Sequence, residues 1–225
     1  MRPRDGGGCR RTSGSGRAVL KGWCRMPTKN NTRRRGSSAG VSSAVLAEPV
    51  KFPVDVPKPA QTAPESCHVI VLAVAEDAIR VKLLPDDAAV RKLLNDAYGS
   101  GGWGNRRYNA GQQLWCQVCV YVPQTGEYVY KDAGALSIPA HDPKRMQEIT
   151  SFLAAAALWG AGADVLDLKP IALKASQVPI VQDDKKRWRL DTTLKVDRFA
   201  RDDSGKITMV QFVTTEGKKV LWPET

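Results

Sequence analysis

The residues best suited to chemistry lie in one glycine-rich stretch, residues 97–107, which reads Ala-Tyr-Gly-Ser-Gly-Gly-Trp-Gly-Asn-Arg-Arg. Glycines permit backbone paths that side chains block, and two permanent charges follow them at Arg106 and Arg107. Glycines beside cations suggest phosphate binding, either in a nucleotide loop or along a nucleic acid. A nucleotide loop requires a strand, then glycines, then the N-terminus of a helix. Here a predicted helix precedes the glycines and a strand follows them, an order that argues against ATP binding.

The same stretch is predicted to form a fixed corner between two elements. An amphipathic helix is expected over Asp87–Asn95, capped at its start by Asp86 or Asp87, and a strand is expected over Leu114–Val122. Trp103 interrupts the glycines as a large apolar anchor. We therefore expect a rigid turn that delivers the two arginines to the start of a sheet. The residues assigned to this corner are Gly99, Gly101, Gly102, Trp103 and Gly104.

The positive charge of the chain is concentrated at its N-terminus. The 225-residue sequence has a net charge of +11, of which residues 1–45 carry +10 and the remainder +1. These first residues are rich in Gly, Ser and Arg and have no apolar pattern that would bury a core. Residues 1–65 are therefore predicted to be a disordered basic arm followed by a Pro-rich linker. Three interpretations of the arm stay open: a nucleic-acid-binding tail, an organellar transit peptide, against which the lack of an amphipathic helix argues, or an extension preceding a start at Met26.

The five cysteines are odd in number and irregularly spaced, which argues against a secreted disulfide framework. Cys116 and Cys119 are close in sequence, but residues three apart on a strand point to opposite faces and cannot easily share a metal ion. No metal and no cofactor are therefore expected. The sequence also has no run of about 18 apolar residues, so no membrane partner is expected. We expect an intracellular protein, cytoplasmic in a bacterial or phage-infected cell, with a nucleus or organelle as the alternative.

An antiparallel meander is predicted from the alternation of side chains after residue 113. Leu114–Val122 alternates, residues 123–126 form a hairpin turn, and residues 127–134 return. Tyr128 and Tyr130 share one face of the returning strand. They are either core residues beneath a covering helix, as aromatic residues on sheets usually are, or an exposed surface on which bases stack.

A long helix is predicted after the meander. Asp142 is a good N-cap, Pro143 is favoured at the first helical position, and glycines at 160 and 162 permit a left-handed end. Beyond it, residues 166–179 read as loop and short helix. The predicted fold class is α+β: an antiparallel β-meander packed against a long helix (a β-β-β-α core), with a C-terminal accessory β segment. The predicted domain bounds are 1–65 for the arm and linker, 66–180 for the core, and 181–225 for the β segment.

Three motifs in this order resemble the Rad-fifty-two-type single-strand DNA annealing proteins, which include phage recombinases. The first is Leu93-Leu-Asn-Asp-Ala-Tyr-Gly-Ser-Gly-Gly-Trp-Gly, a fairly specific helix and Gly-Gly-Trp corner. The second is the hairpin with Tyr128, Asp132 and Gly134. The third is the helix end Ala156-Ala-Leu-Trp-Gly-Ala-Gly. The resemblance covers about residues 70–168.

The resemblance implies a core that assembles into rings or helical filaments, binds single-stranded DNA in a groove and anneals complementary strands without ATP, in homologous recombination or repair. The implied partners are single-stranded DNA and further copies of the chain, with a single-strand-binding protein or an exonuclease as additional candidates. Family members often carry basic residues in the middle of the long helix, where this chain has Leu153 and Ala154. The residues predicted to bind DNA are therefore Arg106, Arg107, Lys131, Lys144 and Arg145.

Two other functions stay open. A magnesium-dependent nuclease needs clustered acids with a lysine, and Glu216 and Lys218 have that spacing in a predicted turn. The acid pairs at 183–184 and 202–203 also read as turn residues. An RNA-binding protein could use the basic arm together with aromatic residues on a sheet.

Overall fold

The computed structural model describes residues 56–223. The predicted basic arm, except for the end of its Pro-rich linker, lies outside these residues. Within the described range the chain forms eleven strands and three α-helices, with a 3-10 turn at Pro64–Ser66. The strands are, in chain order, β1 (Cys67–Val74), β2 (Ala78–Pro85), β3 (Trp103–Ala110), β4 (Gln113–Val122), β5 (Glu127–Gly134), β6 (Ile171–Lys174), β7 (Ile180–Gln182), β8 (Trp188–Leu190), β9 (Leu194–Arg201), β10 (Ile207–Thr214) and β11 (Lys219–Trp222). The helices are α1 (Asp87–Tyr98), α2 (Pro143–Ala157) and α3 (Ala163–Leu166).

The described strands form four sheets in which every pairing is antiparallel. Their strand orders are β1-β2-β6, β3-β4-β5, β9-β10-β11 and β7-β8. This arrangement confirms the prediction of an α+β protein with antiparallel sheets. None of the helices within residues 56–223 has the length and apolar character needed to span a membrane.

The sheet β3-β4-β5 is a meander whose central strand alternates between a buried face and a more exposed one. Every second residue of β4 from Cys116 to Val122 is buried, as the strand pattern predicts. The turn into β5 uses Gly126 at φ 68°, a left-handed conformation that suits glycine. One face of the meander therefore belongs to a hydrophobic core, and the opposite face is partly exposed to solvent.

Helix α2 covers the buried face of the meander. The Asp142 carboxylate accepts a hydrogen bond of 3.0 Å from the Arg145 backbone N–H, and this cap, with Pro143 after it, fixes where the helix begins. Leu153 is only 1% exposed, because the middle of α2 faces the sheet. An apolar residue is therefore required there. The buried residues that α2 shares with the meander are Cys116, Val118, Val120, Phe152, Leu153, Ala155 and Ala156.

A second core lies among β2, β6, β9 and β10, centred on Ile79, Leu173 and Phe212. A polar cluster closes one side of this part of the molecule. The Arg201 Nη2 lies 2.8 Å from the Asp164 Oδ2, and both side chains are largely buried. Thr62 donates to the same carboxylate through its backbone N–H (3.0 Å) and its hydroxyl (2.7 Å), and its carbonyl accepts from Arg201 at 2.9 Å.

Two parts of the secondary structure differ from expectation. Residues 166–179 were expected to be loop and short helix, but they contain β6, which pairs with β2. This strand has only four residues, too few for its alternation to stand out in the sequence. The strand-like stretch from Arg187 to Phe199 is divided into β8 and β9, with no strand at residues 191–193.

Candidate nucleic-acid interface

The glycine corner between α1 and β3 is built as tightly as the sequence suggests. Gly99 ends α1 with φ 76°, and its N–H donates to the Asn95 carbonyl at 2.8 Å. A Cβ on Gly102 would lie 2.0 Å from the Tyr98 carbonyl oxygen, so only glycine fits. The Trp103 Nε1–H donates to the Asn95 Oδ1 at 2.8 Å, which ties the start of β3 back to the helix.

The two arginines that follow the corner lie on opposite faces of the sheet. Arg106 is opposite Gln117, and Arg107 is opposite the buried Cys116. Because side chains alternate along a strand, the adjacent arginines cannot reach one phosphate together from the same face. The Arg107 Nε–H donates to the Glu148 carbonyl on α2 at 3.3 Å, so Arg107 lies on the side covered by the helix.

Arg107 and Arg91 are two cations that reach α2, from β3 and from α1. The guanidinium of Arg91 lies 4.2 Å above the ring of Phe152, with its Nε 3.9 Å from the Asp87 carboxylate. Burial raises the pKa of the Cys116 thiol, while the guanidiniums of Arg107 and Arg91 act in the opposite direction, because both lie near it. We call these two cations, together with Lys144 and Arg145, the basic edge.

Lys144 and Arg145 belong to the basic edge through the periodicity of α2. They are exposed in the first turn of the helix, three and four residues before Glu148, whose carbonyl Arg107 contacts. Residues at that spacing lie on the same side of a helix. The edge therefore combines the rigid strand that follows the corner with the positive N-terminal end of α2, which itself favours anions.

Lys131 is not part of the basic edge. Its Nζ donates to the Leu158 carbonyl at 2.6 Å and lies 4.2 Å over the ring of Trp159, so it caps the C-terminal end of α2. Lys131 stands on β5, which the width of β4 separates from β3 by about 10 Å. Of the five residues predicted to bind DNA, Arg107 contacts α2, and helical spacing puts Lys144 and Arg145 on the same side of that helix as Glu148. Arg106 and Lys131 lie elsewhere.

The face of the meander opposite α2 carries most of its aromatic side chains. Tyr121 is 41% exposed, Tyr128 43% and Tyr130 57%. Of the two alternatives for Tyr128 and Tyr130, the core position is therefore wrong and the exposed position holds, because α2 covers the face of Cys116 and Val118 instead. We call this surface the open face, formed by Gly104, Arg106, Tyr108, Trp115, Gln117, Cys119, Tyr121, Tyr128, Tyr130 and Asp132.

The carboxylates considered for a nuclease have local hydrogen-bond partners. The pKa of Glu216 falls to about 2, because its carboxylate accepts hydrogen bonds, from Thr214 first and from Thr215 and Thr192. Asp202 accepts from the Ser204 hydroxyl at 2.6 Å within a turn. No group of three or more His, Cys, Asp or Glu residues within positions 56–223 is placed to hold a metal ion. Cys116 and Cys119 lie on opposite faces, as predicted.

The sequence did not lead us to predict Arg91 or the open face as part of a nucleic-acid-binding site. Arg91 sits between the apolar positions of α1 and has an acid, Asp87, four residues earlier, so it reads as an ordinary solvent-exposed pair. The sequence signal that could have indicated Arg91 is that α1 ends directly at the glycine corner, so that Arg91 lies about two turns of helix before it. A helix that ends at a tight glycine turn can fold back beside the strand that leaves it, as α1 does here through the hydrogen bond from Trp103 to Asn95.

The scan against protein-family models, the search of curated proteins and the search of solved structures each found no match to this chain.

Proposed function

We propose that this protein binds single-stranded DNA and anneals complementary strands without ATP, acting as a homo-oligomeric ring or filament in homologous recombination or repair. The proposal takes its reaction from the resemblance of residues 70–168 to the Rad-fifty-two-type annealing proteins. The observation that carries it is the basic edge, where Arg107 and Arg91 both contact α2 and helical spacing puts Lys144 and Arg145 on the same side of that helix. In this proposal the meander β3-β4-β5 and α2 form the β-β-β-α core of the annealing unit.

Annealing requires that two strands that repel each other be brought together with their bases accessible. Cations along a rigid edge neutralise phosphates and leave the base edges free, and phosphate contacts of this kind do not depend on base sequence. Duplex formation is itself downhill, so the reaction needs no nucleotide hydrolysis. The corner serves this purpose by fixing Arg107 on a strand whose start is tied to α1 through Trp103.

The modest charge of the chain outside its N-terminal arm explains why an oligomer is part of the proposal. Residues 46–225 carry a net charge of only +1. One copy offers a short row of cations, and strong binding then requires the row to be repeated by symmetry. A closed ring or an open filament of identical subunits provides that repetition.

The test is a salt titration of the full-length protein with a labelled single strand. Replacing both Arg107 and Arg145 with Ala should weaken binding to every sequence and lower the slope of log affinity against log salt by up to about 1.4, roughly 0.7 for each lost phosphate contact. Arg189→Ala is the matched control, because Arg189 is an exposed arginine on β8, away from the edge.

Annealing of complementary strands is followed in the same samples without ATP and without magnesium. An unchanged slope in the double variant, with the oligomer intact by light scattering, would refute the assignment of the basic edge. In a parallel sample with added magnesium, loss of the strand would identify a nuclease instead, and a strong preference for RNA over DNA of the same sequence would identify an RNA-binding protein.

A further inference from the structure

The open face has an uneven profile that follows from its register. Tyr121 and Tyr128 stand opposite each other, with ring centroids 5.4 Å apart and planes inclined at 59°. In the next row of the sheet, about 6.7 Å along the strands, Tyr130 stands beside Cys119 and Gly104. Because Cys119 and Gly104 are small, they leave a shallow depression beside Tyr130. One side of the Tyr130 ring therefore has no large neighbour in its own row.

A positive charge lies in the row after Tyr130. That row consists of Arg106, Gln117 and Asp132. Asp132 accepts a hydrogen bond of 3.0 Å from the Tyr108 hydroxyl, whereas Arg106 makes no hydrogen bond or ion pair among the described residues. From strand and row spacings, the Cα atoms of Arg106 and Tyr130 are about 12 Å apart, a gap that two long side chains largely close. The face therefore offers an exposed aromatic ring and an unpaired guanidinium.

The size and charge of the open face favour a nucleic acid over a second copy of the chain. Three strands of about eight residues measure about 14 by 26 Å, or some 370 Å². A stable protein interface buries about 800 Å² on each partner, and its centre is depleted in charged residues. Arg106 and Asp132 lie in a middle row of this face, on its two outer strands with Gln117 between them, so charged groups reach well into it. A single nucleic-acid strand needs only a narrow track, and every base presents a ring that can stack on tyrosine.

We propose that the open face is a stacking platform for the bases of a bound single strand, with Tyr130, Tyr128 and Tyr121 contacting bases and Arg106 contacting a phosphate. This inference rests on the proposed function and adds a base-contacting surface to it. It places the bases on the face opposite α2 and leaves the basic edge to the backbone. Since stacking accepts any base, the platform confers affinity without sequence preference.

The first experiment compares substitutions at Tyr130 in the full-length protein by fluorescence anisotropy with labelled oligothymidine. Tyr130→Ala should lower affinity about fivefold or more, as expected for loss of one stacked base, and should leave the salt slope unchanged. Tyr130→Phe keeps the ring and should bind like the parent. Val129→Ala is the matched control, because Val129 is similarly exposed on the same strand but faces the other side. Arg106→Ala should lower the salt slope by about 0.7.

The second experiment removes the bases from the ligand. The parent protein should bind oligothymidine more tightly than an abasic deoxyribose-phosphate chain of equal length, and Tyr130→Ala should lose most of that preference. If the parent binds both chains equally, or if Tyr130→Ala binds like the parent, no stacking platform exists, although the proposed function survives. If neither the parent protein nor any variant binds a single strand, the proposed function fails as well.

A third outcome concerns a second copy of the chain. Should Tyr130→Ala dissociate the oligomer in light scattering while Tyr130→Phe does not, the open face is a subunit contact, and the stacking proposal is overturned. An intact oligomer with weakened binding to oligothymidine alone supports the proposal.

Discussion

Gly102 and Gly101 are adjacent in the corner, yet their replacement by alanine should have opposite effects on stability. A Cβ at position 102 would lie 2.0 Å from the Tyr98 carbonyl oxygen and 3.0 Å from its carbon, and both are backbone atoms that cannot rotate away. The backbone would have to move by about 1 Å, at a cost of about 1–3 kcal/mol for overpacking. That movement would also disturb the hydrogen bonds from the Gly102 N–H to Gly99 (3.2 Å) and from the Tyr121 N–H to Gly102 (2.8 Å), each contributing about 1 kcal/mol.

We therefore expect Gly102→Ala to lower the free energy of unfolding by about 3 kcal/mol. Nothing lies within 4 Å of a Cβ at Gly101, and its φ is outside the left-handed region. Gly101→Ala should instead stabilise the protein by about 0.4–1 kcal/mol, by restricting the unfolded chain. Urea unfolding followed by tryptophan fluorescence measures both variants by linear extrapolation. If Gly102→Ala unfolds within about 0.5 kcal/mol of the parent, the corner is not closed as described.

Two further predictions concern the two ends of α1. Trp103 is half-buried against Phe152 and donates to Asn95, so Trp103→Ala should cost about 2–3 kcal/mol in urea unfolding, below the 3–5 kcal/mol of a fully buried tryptophan, and Trp103→Phe should cost less. The pKa of Asp86 is lowered, first by the hydrogen bond with His68 and then by the backbone N–H groups of Ala89 and Ala88 that it caps. A depressed carboxylate pKa stabilises the fold above the unfolded value near 3.9, and this stabilisation is lost as pH falls through the folded pKa. Asp86→Ala should thus cost about 1 kcal/mol at pH 7, and the gap to the parent in thermal unfolding should narrow below about pH 4; a gap that is constant with pH would contradict this.

The sequence signals for β4 and for the start of α2 are long and local. β4 alternates over ten residues, and Asp142 with Pro143 marks the start of α2 unambiguously. β6 was not predictable in the same way, because four residues carry little periodicity and its partner β2 lies about ninety residues earlier. The existence of that strand depends on a tertiary pairing.

The candidate site shows the same division between local and tertiary information. Arg106 and Arg107 were predicted as a pair, but which face each one takes depends on where α2 packs. The same packing decides that Tyr128 and Tyr130 are exposed, since both faces of β5 carry apolar or aromatic residues and neither pattern identifies the covered side. In the sequence, Lys131 is indistinguishable from any other cation on a hairpin. Its contact with the Leu158 carbonyl at the end of α2 depends on tertiary packing.

The polar cluster of Thr62, Asp164 and Arg201 has a consequence for the order in which the chain assembles. About a hundred residues separate Thr62 from Asp164, and nearly forty separate Asp164 from Arg201 on β9. The complete cluster therefore cannot form until β9 has left the ribosome. Until then the carboxylate of Asp164 has no guanidinium partner, and the segment around Thr62 lacks its acceptor contact with Arg201. Contacts between such distant positions are intrinsically slow to form. The β1-β2 hairpin can pair early, but the segment around Thr62 should stay undocked until synthesis has run well past α2, open meanwhile to chaperones and proteases.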